Sequence, residues 1–134
     1  MIPGRDLRAT LVHILDVEAS WRLRLQRRPA QEWRKTLAVS DYRTVATLAE
    51  HWERDEAEMR QWVESLDDAA LARSADLGPK EKYPLWYYLI HMVTHSQQHR
   101  AESAQLLTQL GHSPGDLDFL DYADSVRAAV QKSS

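Results

Sequence analysis

"LWYYLIHMVTHSQQHRAESAQLLTQL", residues 85–110, decides how the rest of the chain is read. Leu85, Leu89, Met92, Leu106 and Leu110 fall on one stripe at three- and four-residue spacing, and the stripe passes through His95, Ser96 and His99. That periodicity predicts a long amphipathic helix. Pro84 suits its first turn, and Gly111 suits the position just past its end. Inside it, His91, His95 and His99 follow one another at intervals of four. Residues four apart on a helix are neighbours, with about 5–6 Å between Cβ atoms. Two imidazoles so placed can converge on one ion through bonds of about 2.0–2.1 Å. Each step of four turns the helix by about 40°, so the outer two histidines point about 80° apart. One adjacent pair should chelate. His91 lies toward the edge of the stripe, so the phase favours His95 and His99.

Upstream, Leu7, Leu11, Ile14, Leu15, Trp21 and Leu25 mark a second amphipathic helix from Asp6 to about Arg27, ended by Pro29. Glu32 to Val39 is weakly patterned and reads as loop. "SDYR" opens another helix, with Ser40 or Asp41 as its N-cap. Its stripe is Tyr42, Val45, Leu48, Ala49, Trp52, Met59, Trp62, Val63 and Leu66, and one turn past Trp52 it meets a carboxylate, Glu56. "DLGPKEKYP", residues 76–84, is a turn-rich connection, "HSPGDLDF" is a turn, and Leu120 to Val130 can form a short last helix. No segment alternates with period two. The expectation is all-α: three long helices and a short one, in a single domain spanning residues 1–134.

Composition narrows the function. The 134 residues carry a net charge of −3, which gives no reason to expect a nucleic-acid partner. Arg22, Arg24, Arg27 and Arg28 form a local basic cluster, while the rest of the chain is acidic. Without cysteine there is no disulfide, thiolate metal site or cysteine nucleophile. No apolar run approaches the roughly 18 residues of a membrane span, and the N-terminus does not read as a signal peptide. A soluble, cytoplasmic protein without a membrane partner is expected.

A histidine pair is not yet a site. A catalytic centre takes three protein ligands and an open position. On the residues alone, the third ligand is open between His13 in the first helix, His51 in the second and His112 in the turn. Each histidine also has a plain reading as a hydrogen-bonded helix residue. Glu56 is either the rim of its helix, a residue that orients a ligand, or a base. Trp21, Trp52 and Trp62 fall on stripes and read as core or interface. Trp86 and Tyr87 read first as packing residues and second as lining for a metal cleft.

"HMVTHSQQHRAESAQLLTQLGHSP" resembles the C-terminal signature of the DinB/YfiT-like superfamily of metal-dependent enzymes, an HxxxHR element in a helix that ends in LG. "LRATLVHILDVEASW" is similar to the family's upstream element, and "DLDFLDY" to its usual ending. The resemblance implies a DinB-like up-down helix bundle holding a divalent ion on three histidines, which carried over by position are His13, His95 and His99. It implies that His91 sits where the family often has a non-ligand histidine. This sequence departs from the pattern twice. The family usually has GQ after HR, where this chain has Ala101 and Glu102, so helix packing or the surroundings of the metal differ. Relatives also carry a full helix before the His13 helix, whereas this sequence begins almost upon it. Either the bundle is short of a helix or the chain is a truncated form. The seam that helix would cover argues for a homodimer or an exchanged helix.

Two functions follow. The first is a metal-dependent enzyme of hydrolase type, or a transferase or isomerase that uses a low-molecular-weight thiol, with zinc or nickel as the ion. The second is a non-enzymatic, stress-associated helical dimer whose metal site is structural or vestigial.

Overall fold

The computed structural model describes residues 5–79 and 83–133. Six α-helices account for most of it: α1 (Leu7–Leu25), α2 (Ala30–Trp33), α3 (Val45–Glu64), α4 (Asp68–Ala72), α5 (Leu85–Gln109) and α6 (Phe119–Lys132). No strand occurs among the described residues; a single isolated bridge, Ser74 to Pro84, ties the chain just before α5. The expectation of an all-α fold holds. The connection 76–84 lies partly outside the described residues.

The chain divides into two compact units, residues 1–103 and 104–134. In the first unit, α1 starts where Asp6 accepts a hydrogen bond from the Ala9 amide at 2.8 Å. It ends with Arg27 in the left-handed region (φ 58°). There the Arg28 amide reaches back to the Leu23 carbonyl and the Arg27 amide to that of Arg24. This is the turn that usually recruits glycine, because a Cβ is disfavoured there. Pro29 follows two residues later.

The start of α3 corrects the sequence reading. Ser40 and Asp41 do not cap it; Val39–Asp41 winds a separate 3-10 turn. The cap is Thr44, in a reciprocal capping box with Thr47. Tyr42 lies outside the helix yet is buried, because its ring packs with Val12, Leu15 and Leu48. The buried stripe of α3 is also narrower than the sequence suggests. Leu48 and Asp55 are buried, and Trp52, Met59 and Trp62 are partly so, at spacings of four, three, four and three. Val45 and Val63 are exposed.

Two apolar clusters hold α1, α3 and α5 together. One joins Val12 and Leu15 to Tyr42 and Leu48, with Trp52 against it. The other joins Leu25 to Ala75, Leu85, Tyr88 and Met92, with Trp21, Met59 and Trp62 packed around it. These pairings set the directions. Leu15 meets Leu48 and Arg22 meets Asp55, so α1 and α3 run the same way and the long connection 26–44 is what returns the chain. Leu25 meets Leu85 while His13 meets His99, so α5 runs against α1. In α5 the buried residues are Leu85, Tyr88, Met92, Ser96, His99 and Ser103, one continuous face that turns from apolar to polar halfway along.

The second unit holds the end of α5 and all of α6. Gly111 (φ 82°) closes α5, with the His112 amide on the Leu107 carbonyl and the Gly111 amide on that of Thr108. Leu110, expected on the apolar stripe, lies in this turn and is exposed. α6 is capped by Asp118 and buries no residue.

Candidate metal centre

The polar half of the α5 face meets α1 at His13. The helix phase aims His95 and His99 at α1, and α1 places His13 opposite them, one position from the fully buried Ile14. The ring centroids stand 4.6 Å apart for His95 and His99, 4.8 Å for His13 and His99, and 5.4 Å for His13 and His95. One nitrogen from each ring lies within 4.8 Å of the others. Nitrogens around a tetrahedral ion with bonds of about 2.0–2.1 Å stand about 3.4 Å apart, so modest ring rotations would close the three onto one ion. Among the described residues no other group of three or more histidines and carboxylates comes together in this way.

The surroundings of the rings fit a ligand role. The Nδ1 of His99 stands 2.7 Å from Oε2 of Glu102, which leaves Nε2 as the ring nitrogen available to an ion. The Nδ1 of His95 is buried and has no hydrogen-bond partner. A buried nitrogen without a partner is costly, and a cation would satisfy it. The pKa of His13 is lowered by burial first, then by the positive charge of Arg5 and by His99 and His95. That of His95 is lowered by burial, then by His99, His91 and Arg5. Both imidazoles are therefore held toward the neutral form that binds metal. The carboxyl of Glu102 is lowered, chiefly by its hydrogen bond with His99.

His91 is exposed and stands apart. Its ring lies 6.0 Å from that of His95 and edge-on to Trp21 at 5.4 Å. His51 is engaged elsewhere, with its Nδ1 2.6 Å from the Tyr42 hydroxyl. His112 sits exposed in the turn after α5. Glu56 points to solvent and pairs with Arg60 at 2.7 Å. The buried carboxylate on that helix is its neighbour Asp55, which binds Arg22.

Glu102 is the residue at the cluster that sequence reasoning missed. It appeared only as a departure from the family pattern, although a carboxylate three residues after a histidine lies on the same helix face. Arg100 turns away from the cluster and meets Glu18 of α1 at 3.3 Å, and Ser96 donates a hydrogen bond to the same carboxylate. Burial raises the pKa of Glu18 against the pull of both partners. Three of the four arginines in the basic cluster at the end of α1 are engaged internally. Arg22 is buried against Asp55 and reaches Glu58 at 2.8 Å, Arg24 stacks on Trp21 and Trp33, and Arg28 pairs with Glu32. No helix among the described residues is long and apolar enough to cross a membrane.

Comparison with known proteins agrees with this arrangement. The sequence model of the DinB family matches residues 2–132. No curated protein and no solved structure matches the chain significantly.

Proposed function

The chain belongs to the DinB family, and from this we propose that His13, His95 and His99 hold a divalent ion, zinc or nickel, at the centre of a metal-dependent enzyme. The observation that carries the reading is the convergence of three imidazoles from two helices, without a fourth histidine or carboxylate grouped with them among the described residues. Structural zinc sites close with four protein ligands, whereas catalytic ones keep a position open. A divalent ion held there supplies Lewis acidity toward a water or a thiol co-substrate.

The protein's own groups prepare the site. Burial keeps His13 and His95 neutral. Glu102 accepts the Nδ1 proton of His99, which fixes the ring's tautomer and leaves Nε2 available to the ion. Arg5 contributes positive charge at the same two histidines and so favours an anionic nucleophile such as a thiolate. The reaction class we propose is hydrolysis, or transfer or isomerisation that uses a low-molecular-weight thiol. Cobalt-loaded protein tests it. A small thiol or azide added to an open site should change the visible cobalt spectrum, and an unchanged spectrum would point to a closed, structural ion.

We also propose a homodimer. Ile90 (53% exposed) and Val93 (69%) of α5 and Val63 (42%) of α3 leave an apolar ridge in solvent. Val93 and Val63 border a groove with Met59, Leu89 and Met92. A second copy would cover both ridges in one isologous contact.

A further inference from the structure

Beside the histidine cluster, Trp21, Tyr83, Tyr87, Tyr88 and His91 line a cavity of about 320 Å³. Every lining residue is aromatic, in a chain where aromatic side chains other than histidine make up only 8% of residues. The rings form a connected series. Tyr83 stacks on Tyr87 at 5.3 Å and meets Tyr88 edge-on at 6.2 Å. Tyr88 meets Trp21 at 5.5 Å, and Trp21 meets His91 at 5.4 Å. His91 in turn stands 6.0 Å from the ring of His95. The cup therefore begins where the histidine cluster ends, one turn along α5, or about 6 Å of helix rise.

Packing accounts for Tyr88 and Trp21, which lie in the apolar cluster around Leu25, but not for the tyrosine pair at the rim. Tyr83 is 56% exposed and Tyr87 46%, and they stack on each other outside both apolar clusters, with Trp86 tilted against Tyr87 at 4.2 Å. The Tyr88 hydroxyl at the buried side of the cup has no hydrogen-bond partner. Rings in offset and edge-on arrangements 4.5–7 Å apart offer edges and faces to a further ring, a contact worth about 0.5–1.5 kcal/mol beyond area burial. A cationic ligand fits less well. No carboxylate lines the cup, and the guanidinium of Arg24 already lies 5.1 Å from the centre of the Trp21 ring.

We propose that this cup is a binding subsite for a flat, uncharged or anionic aromatic group, which it holds within reach of the histidine centre. Its role as a substrate subsite rests on the function proposed above; its ability to bind such a group does not. His91, the histidine left out of the cluster, then forms the wall shared between cup and centre. The ring lies across the tyrosine pair and against Trp21, and whatever substituent it carries toward His91 points to His95.

The test uses the full chain and benzamide as the probe, with cyclohexanecarboxamide as the control of equal polarity without a flat ring. In metal-free protein, benzamide should shift the Trp21 indole N–H resonance saturably and bind at least tenfold more tightly than the control. Tyr87→Ala, at an exposed position outside both apolar clusters, should weaken benzamide binding at least fivefold. Equal affinity for the two probes, or unchanged affinity in Tyr87→Ala, would overturn the proposal. Cobalt-loaded protein then tests the link to the centre. Bound benzamide protons should relax faster than in the zinc form, and unchanged relaxation would overturn the substrate role. If the protein takes up no metal, the metal reading fails, while the metal-free titration still decides the cup.

Discussion

His99 Nδ1 and Glu102 Oε2 lie 2.7 Å apart, on the same face of α5 and three residues apart in sequence. The bond commits one nitrogen of the ring and leaves the other for the cluster. Residues that orient a metal-binding histidine in this way typically contribute 10–100-fold to affinity. Glu102→Ala should therefore weaken metal binding by about 10–100-fold. Glu102→Gln, which keeps an oxygen acceptor but not the charge, should fall between. Competition against a chromophoric chelator measures both. Affinities within twofold of wild type would show that Glu102 only packs.

Burial and neighbouring positive charge hold His13 and His95 below the ordinary imidazole range. In the metal-free protein the unfolded chain then binds more protons than the folded one, between the lowered values and about 6.5. Stability should be full above about pH 6.5 and fall as the pH drops through that window. Burial of Glu18 works in the opposite direction, since its raised pKa favours the folded state only while it is protonated. The difference between wild type and a His13→Gln, His95→Gln double variant isolates the histidines. Denaturant unfolding from pH 5 to 8 should show a shallower slope in the double variant, and equal slopes would contradict the assignment.

Arg22 and Asp55 are both almost fully buried and bind each other across α1 and α3. Asp55→Ala leaves the guanidinium with the exposed Glu58 and a 3.4 Å contact to Gln26, and breaking such a pair costs about 3–5 kcal/mol. Because Glu58 remains, a loss near the lower end is expected. Arg22→Met combined with Asp55→Leu should recover most of it, since an apolar pair needs no compensating charge. A double variant as unstable as the single one would mean that the pair is required for the packing itself.

How much of this was legible in sequence depends on what signals each part. The phase of α5 was readable because histidines at i and i+4 on an apolar stripe must share its direction. His13 came from resemblance; by residues alone it stood level with His51 and His112. The start of α3 was misread because "SDYR" has cap chemistry, and Tyr42 is buried by tertiary contact rather than by helix periodicity. Asp55 was passed over in favour of Glu56, because a paired carboxylate on a buried face looks like an error in the stripe until Arg22 is seen beside it. The role of Arg22 was hidden for the same reason. Its partners come from a helix more than thirty residues away, as the numbering of Asp55 and Glu58 shows.

The exposed ridge at Ile90, Val93 and Val63 should make the protein dimeric at micromolar concentration, with little dependence on salt because the contact is apolar. Val93→Glu should shift sedimentation toward the monomer without lowering helix content. A wild-type protein that sediments as a monomer at that concentration would remove the dimer.

The central claim is that three particular histidines bind one ion, and elemental analysis of protein purified without a histidine tag tests it most directly. Wild type should carry about one equivalent of a divalent metal, as one three-ligand centre requires. His91→Ala should keep it, because His91 lies outside the cluster. His13→Ala, His95→Ala and His99→Ala should each lose it. Metal-free wild type that takes up no ion on reconstitution would contradict the claim, as would loss in His91→Ala equal to loss in the other three.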